Sequence, residues 1–190
     1  PNIRNTFINS AIIYDIDVNE NSVKSAEIER EFFSPLTKWA GGIYFDERFL
    51  RDSLPDNSGE FAIQNLKSRN QEYWLGRAFS LSDSNTEADR TLNLVTTLGY
   101  YNTAFSERPN TEYDPTSFFS NSQTYLMSIG LTSRRFIQER YLFEYDRTED
   151  VAIGKVYSIT GGFQDKNDIR RLYLGMKYSF GNYYNFGFFG

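Results

Sequence analysis

The chain of 190 residues has no cysteine and no histidine. Without cysteine there are no disulfides, thiolate nucleophiles or zinc-thiolate sites, and a domain of this length buries enough surface to need no such staples. Without histidine there are no imidazole metal ligands, no Ser-His-Asp relay and no histidine-based proton transfer. No apolar run reaches the ~18 residues of a transmembrane helix, a limit that does not bear on strands. Base is also short relative to acid: the formal charge of -5 argues against a general nucleic-acid binder.

Aromatic side chains are plentiful. The chain carries 14 Tyr and 17 Phe with a charged fraction of 24% and a mean hydropathy of -0.56. A water-soluble sandwich tolerates that mixture, whereas a barrel with an aromatic girdle and a polar lumen requires it.

The clearest pattern is a period of two in Ile169–Gly190. Leu172, Leu174, Met176, Tyr178 and Phe180 alternate with Arg171, Tyr173, Gly175, Lys177 and Ser179, so a strand here presents one apolar and one polar face. The same period predicts strands over Ile8–Val18, Lys38–Phe49, Glu72–Leu81, Arg90–Phe105, Gln123–Phe136, Gln138–Asp146 and Ile153–Phe163. Val23–Ser34 reads as helix or strand, with strand preferred because Ala26, Ile28 and Phe32 share a register. Turns are expected at Asn19–Ser22, Arg147–Asp150 and Gln164–Asp168, an acidic linker at Ser82–Asp89, and loops at Arg51–Asn70 and Glu107–Asn121. A brief paired element around Phe61–Leu66 is allowed within the first loop. Eight or nine strands joined alternately by short turns and longer loops predict an antiparallel meander.

Several stretches resemble outer-membrane β-barrel proteins of the Omp85 or surface-antigen type, in their Bacteroidetes form. They are EYWLGRAFSL (Glu72–Leu81), FSERP (Phe105–Pro109), Tyr125–Gly154 with its TEDVAIG, and the run Gly161–Gly175. The resemblance implies an all-β transmembrane barrel in the cell outer membrane, with lipid as chief partner, a periplasmic or secreted protein as a further one, and a role in transport or in membrane-protein assembly and secretion. The chain departs from that type in having no POTRA-like module before the strands and no VRGF motif, with Arg170-Arg171 a distant counterpart of its arginine. It begins at Pro1 without a signal peptide and stops at Gly190 after Phe188-Phe189, so the expectation is a single barrel domain over 1–190 that is a segment of a larger barrel. The alternative is a soluble β-barrel or sandwich that binds a ligand or a protein partner.

Candidate residues fall into three groups. Arg140, Glu144, Asp146, Arg171 and Lys177 are expected to face a lumen, where ion pairs are tolerated. Glu149, Asp150 and Gly154 are expected to form a structured turn. Tyr183, Tyr184, Phe186, Phe188 and Phe189 are assigned to an interfacial girdle, with ligand stacking the lesser reading. No enzyme reading stands: Ser128 is outside any G-x-S-x-G elbow, and the adjacent Glu149 and Asp150 suit neither a hydrolase pair nor a calcium loop. No cofactor and no metal are expected.

Overall fold

Extended backbone dominates the chain. The computed structural model describes residues 6–34, 36–81, 92–140, 148–184 and 187–189. The strands are β1 (Asn9–Ile16), β2 (Ser22–Arg30), β3 (Trp39–Pro55), β4 (Phe61–Ser80), β5 (Leu92–Glu107), β6 (Ser122–Arg140), β7 (Thr148–Lys166), β8 (Ile169–Tyr184) and the three-residue β9 (Gly187–Phe189). Each pairs antiparallel with the next, in the order β1 to β9.

The meander is as expected, but the barrel is not. Among the described residues no ladder joins β1 to β8 or β9, and closure needs the first and last strands to share one. An open sheet keeps a row of unpaired N–H and C=O groups on β1, which hydrocarbon cannot satisfy. The transmembrane barrel, the outer-membrane location and the transport or assembly role are therefore corrected to an open antiparallel sheet. Alternation could not reveal this, because it is a property of each strand alone and is the same in closed and open sheets. No helix among the described residues is long and apolar enough to cross a membrane.

Three local expectations also change. Arg51–Asn70 is not a loop: β3 and β4 continue as a hairpin whose pairing runs to Pro55 and Phe61. Asp56 closes it, its carboxylate accepting from the Ser58 and Glu60 amides at 2.8 Å each, while Gly59 supplies a φ of 87°. Apolar and polar residues are mixed on both faces of this extension, Phe61 and Ile63 on one and Leu54, Ala62 and Leu66 on the other, which hid its period. The strand preferred over Val23–Ser34, by contrast, is present as Ser22–Arg30. Of the strand expected at Gln138–Asp146, residues 138–140 form the far end of β6 and residues 141–147 lie outside the described residues; of the charged turn expected at Arg147–Asp150, Thr148, Glu149 and Asp150 instead open β7, paired with Arg140, Glu139 and Gln138.

Turn chemistry explains the short connections. Between β1 and β2, the Asp17 carboxylate accepts from the amides of Asn19 and Asn21 at 2.7 and 2.9 Å. Between β7 and β8, Asn167 and Asp168 both have positive φ, 54° and 58°, as a two-residue hairpin turn of the primed type requires.

Pairing assigns every strand position to one of two faces. The row Ile43, Tyr73, Tyr100, Tyr125, Phe163 and Leu172 lies on one, the apolar face. Gly42, Trp74, Gly99, Leu126, Gly162 and Tyr173 lie on the other, the polar face. Few of the described side chains are deeply covered, and among them Ala40 and Leu66 are the buried apolar ones. The chain exposes 13669 Å², whereas a compact monomer of its mass exposes about 9,300 Å².

Candidate binding surfaces

The polar face carries two loops that return to it. Residues 31–38, between β2 and β3, are tied down by the Ala78 amide donating to the Lys38 carbonyl at 2.9 Å. Within the loop the Thr37 amide donates to the Ser34 carbonyl at 3.0 Å, and the Leu36 amide to Ser34 Oγ at 3.1 Å. These bonds set Phe32 onto β4, where Gly76 has no Cβ; one built there would come within 2.8 Å of the Phe32 ring. Phe33 stacks on Phe7 with centroids 4.0 Å apart. The second loop, residues 108–121, is held by Lys166 Nζ donating to the Phe118 carbonyl at 2.6 Å and by the Asn110 amide donating to Gln64 Oε1 at 3.2 Å.

Beneath the first loop lies a groove of about 280 Å³. Phe32 and Phe33 form its roof, and Asn93, Val95 and Thr97 of β5, Ser128, Gly130 and Thr132 of β6, and Val156 and Ser158 of β7 line it below. The floor is narrow-chained by sequence, since every second residue there is Ser, Thr, Gly, Asn or Val. Thr160 donates to Ser128 Oγ at 3.0 Å, so that hydroxyl belongs to a cross-strand bond.

Further along the polar face, Asp46 is fully enclosed. Its carboxylate accepts from Tyr44 Oη at 2.9 Å, from Arg48 Nε and Nη2 at 3.0 and 2.8 Å, and from Asn70 Nδ2 at 2.7 Å. Asn70 Oδ1 in turn accepts from Thr103 at 2.8 Å. The Tyr44 hydroxyl and Asp46 hold the Arg48 guanidinium above its ordinary pKa. A second cavity, of about 320 Å³, opens beside this network among Glu27, Glu29, Tyr44, Arg48, Glu72 and Trp74. Burial pushes Glu72 up, with Asp46 adding repulsion. Burial also raises Glu29, followed by its hydrogen bond with Glu31.

The apolar face is organised as a grid. On β5–β8 the rungs are Tyr100–Tyr125–Phe163–Leu172, Leu98–Met127–Gly161–Leu174, Thr96–Ile129–Ile159–Met176 and Leu94–Leu131–Tyr157–Tyr178. None of these positions is charged. Leu172, Met176 and Leu174 are 87%, 82% and 74% exposed. Ring contacts run along both margins: Tyr73–Tyr100, Tyr100–Tyr125 and Tyr125–Phe163 at 6.1, 5.0 and 4.9 Å, and Tyr157–Tyr178 and Tyr178–Phe180 at 4.9 and 5.7 Å. Charge sits outside the grid and is mostly cationic. By pairing register, Lys24, Arg30, Arg51, Lys67, Arg69, Arg77, Lys155 and Arg170 share this face with three carboxylates, Glu47, Glu107 and Asp165, among positions whose side chains are described. The polar face reverses the balance, with Arg48, Lys166, Arg171 and Lys177 against Asp15, Glu27, Glu29, Asp46, Asp52 and Glu72.

The residues singled out from sequence are dispersed. Arg171 and Lys177 lie exposed on the polar face of β8, opposite Gln164 and Ser158. Arg140 ends β6 opposite Thr148, and Glu144 and Asp146 fall outside the described residues. Glu149 and Asp150 are paired within β7 with Glu139 and Gln138, and Gly154, with φ of 145°, sits between Arg134 and Gly181. Tyr183 and Tyr184 end β8, Phe188 and Phe189 belong to β9, and Phe186 is not described. The groove and the Asp46 network went unread. Phe32-Phe33 before Ser34-Pro35 was the available signal for the roof, and the Tyr-x-Asp-x-Arg spacing of Tyr44, Asp46 and Arg48 placed three polar groups on one strand face. Among the described residues, no three acidic, histidine or cysteine groups are placed to hold a metal ion.

No family model matches the chain, and neither a curated protein nor a solved structure matches it. Together with the open sheet, this overturns the resemblance to the Omp85 or surface-antigen type. The fragments that carried it are alternating strands, and strands with two unlike faces converge on such sequences through shared physics.

Proposed function

We propose that the chain is a binding module and not an enzyme, and that it holds a small, slender ligand of mixed apolar and hydrogen-bonding character in the groove beneath Phe32. The observation that carries this reading is the roofed groove: a loop fixed to β4 sets two aromatic rings above a floor of short side chains. Its volume of about 280 Å³ lies at the small end of ligand sites, which begin near ~300 Å³. Phe32, Val95 and Val156 offer apolar contact, while Thr97, Thr132 and Ser158 offer hydroxyl groups. A ligand with a short hydrocarbon body and one polar end matches that lining. The non-catalytic reading is supported by Ser128, whose hydroxyl faces Thr160 and no base, and a serine needs an adjacent base to act as a nucleophile.

The test is displacement of a fluorescent anilinonaphthalene sulfonate probe by octanoate, with Val156→Trp filling the floor. Octanoate affinity should fall at least ~10-fold in Val156→Trp, equivalent to ~1.4 kcal/mol, and stay unchanged in Leu174→Glu on the opposite face. Equal octanoate binding by the wild type and Val156→Trp contradicts the assignment.

A further inference from the structure

We infer that the uncharged grid of β5–β8 is the surface by which the open sheet lies against the hydrocarbon of an anionic lipid layer, with the cationic rim of that face among the headgroups. Three observations carry this independently of the groove, which is on the other face.

The first is area. The chain exposes 13669 Å², about 4,300 Å² more than a compact monomer of its mass. That excess belongs to the open sheet as a whole, and on the grid it includes Leu172, Leu174 and Met176. Met176 and Leu172, more than four-fifths exposed, are in contact with water that an apolar cover would replace.

The second is arrangement. Six residue steps separate Tyr125 from Leu131 in the grid, a length of ~20 Å along the strand. The Tyr100, Tyr125 and Phe163 line marks one end of that span, and the Tyr157, Tyr178 and Phe180 cluster the other. Rings with an apolar body and a polar tip settle where hydrocarbon gives way to water. The groove of the polar face has no such margins.

The third is charge, and it selects the occupant. The apolar face carries an excess of cations although the chain is net acidic, with Arg77 and Lys155 on rungs that flank or border the grid. A cationic rim around an apolar field complements anionic headgroups over hydrocarbon. A second copy of the same face would set those cations against each other. The contact is along one face only: an open edge such as β1 keeps its backbone groups where water reaches them, and no strand crosses the layer.

Flotation of the full chain with phosphatidylcholine vesicles, with and without phosphatidylglycerol, tests this. The chain should float with the mixed vesicles, and added salt should release it. Leu174→Glu combined with Met176→Glu should lower binding at least ~10-fold, while Lys155→Gln, which leaves the grid intact, should lower it ~5-fold on anionic vesicles only. Circular dichroism of each variant should match the wild type. The inference is overturned by absence of flotation, by equal flotation of Lys155→Gln and the wild type, or by a lipid-free dimer that the double glutamate change disperses. Loss of octanoate binding in Val156→Trp without loss of flotation separates the two faces.

Discussion

On the polar face the sheet covers itself; on the apolar face it does not. Loop 31–38 lays Phe32 over Gly76, loop 108–121 anchors on Lys166, and between them the Asp46 carboxylate gathers Tyr44, Arg48 and Asn70. Among the described residues no comparable loop bond reaches the grid of β5–β8, where leucine and methionine are exposed. The difference shows that alternation alone does not make a core. A sheet with two unlike faces becomes a folded domain only when something covers the apolar one, and here the described loops that carry Phe32 and Phe118 lie on the other side.

Substitutions across the two faces should therefore differ sharply in cost. The largest effect is expected for Leu66→Ala: Leu66 is only 5% exposed, and truncating a buried leucine costs about 2–5 kcal/mol. Denaturant unfolding of the variant checks this. Asp46→Ala should follow at about 1–3 kcal/mol, because it strands the donors of Tyr44, Arg48 and Asn70. Restoring an acceptor with Asp46→Asn should recover part of that loss. Leu174→Ala, at a position 74% exposed, should change lipid-free stability by no more than about 0.5 kcal/mol. A loss as large as that of Leu66→Ala would mean that the apolar face is already covered in the free chain.

Acidity sharpens the same contrast more gently. Hydrogen bonds to Ser58 and the Glu60 amide hold Asp56 below its ordinary 3.8. Its contribution is complete above that value and fades as pH falls through the depressed folded pKa. Glu72 runs the other way: burial raises it above 4.5, so the folded chain binds its proton more tightly and this group favours folding less as pH rises through that raised range. Thermal melts of Asp56→Asn should show destabilisation near pH 7 that shrinks near pH 3. Those of Glu72→Gln should show a relative gain that appears only above about pH 5. Parallel curves for the two variants would break the assignment.

Much of the sheet was legible because period-two alternation is written into each strand separately. β5, with Leu94, Thr96, Leu98 and Tyr100 in one register, and β8, with Leu172 to Phe180, needed no other information. The hairpin ends at Arg51–Pro55 and Phe61–Asn70 were hidden because polar and apolar residues are mixed in both registers there. Closure was not legible at all, since whether β1 meets β8 depends on accumulated twist and stagger that no local window records. The groove was missed for a related reason: Phe32 and Ser128 are brought together by the return of a loop, and nothing in either segment names the other.

The absence of cysteine allows the central claim, that adjacent residues of one strand serve two different environments, to be tested with single labels. Ser158 faces the groove and Ile159 the grid. A polarity-sensitive fluorophore on Ile159→Cys should shift to the blue and lose quencher access when anionic vesicles are added, and ignore octanoate. The same label on Ser158→Cys should respond to octanoate and ignore the vesicles. Labels that shift together, or a vesicle response at position 158 with none at 159, would contradict the account.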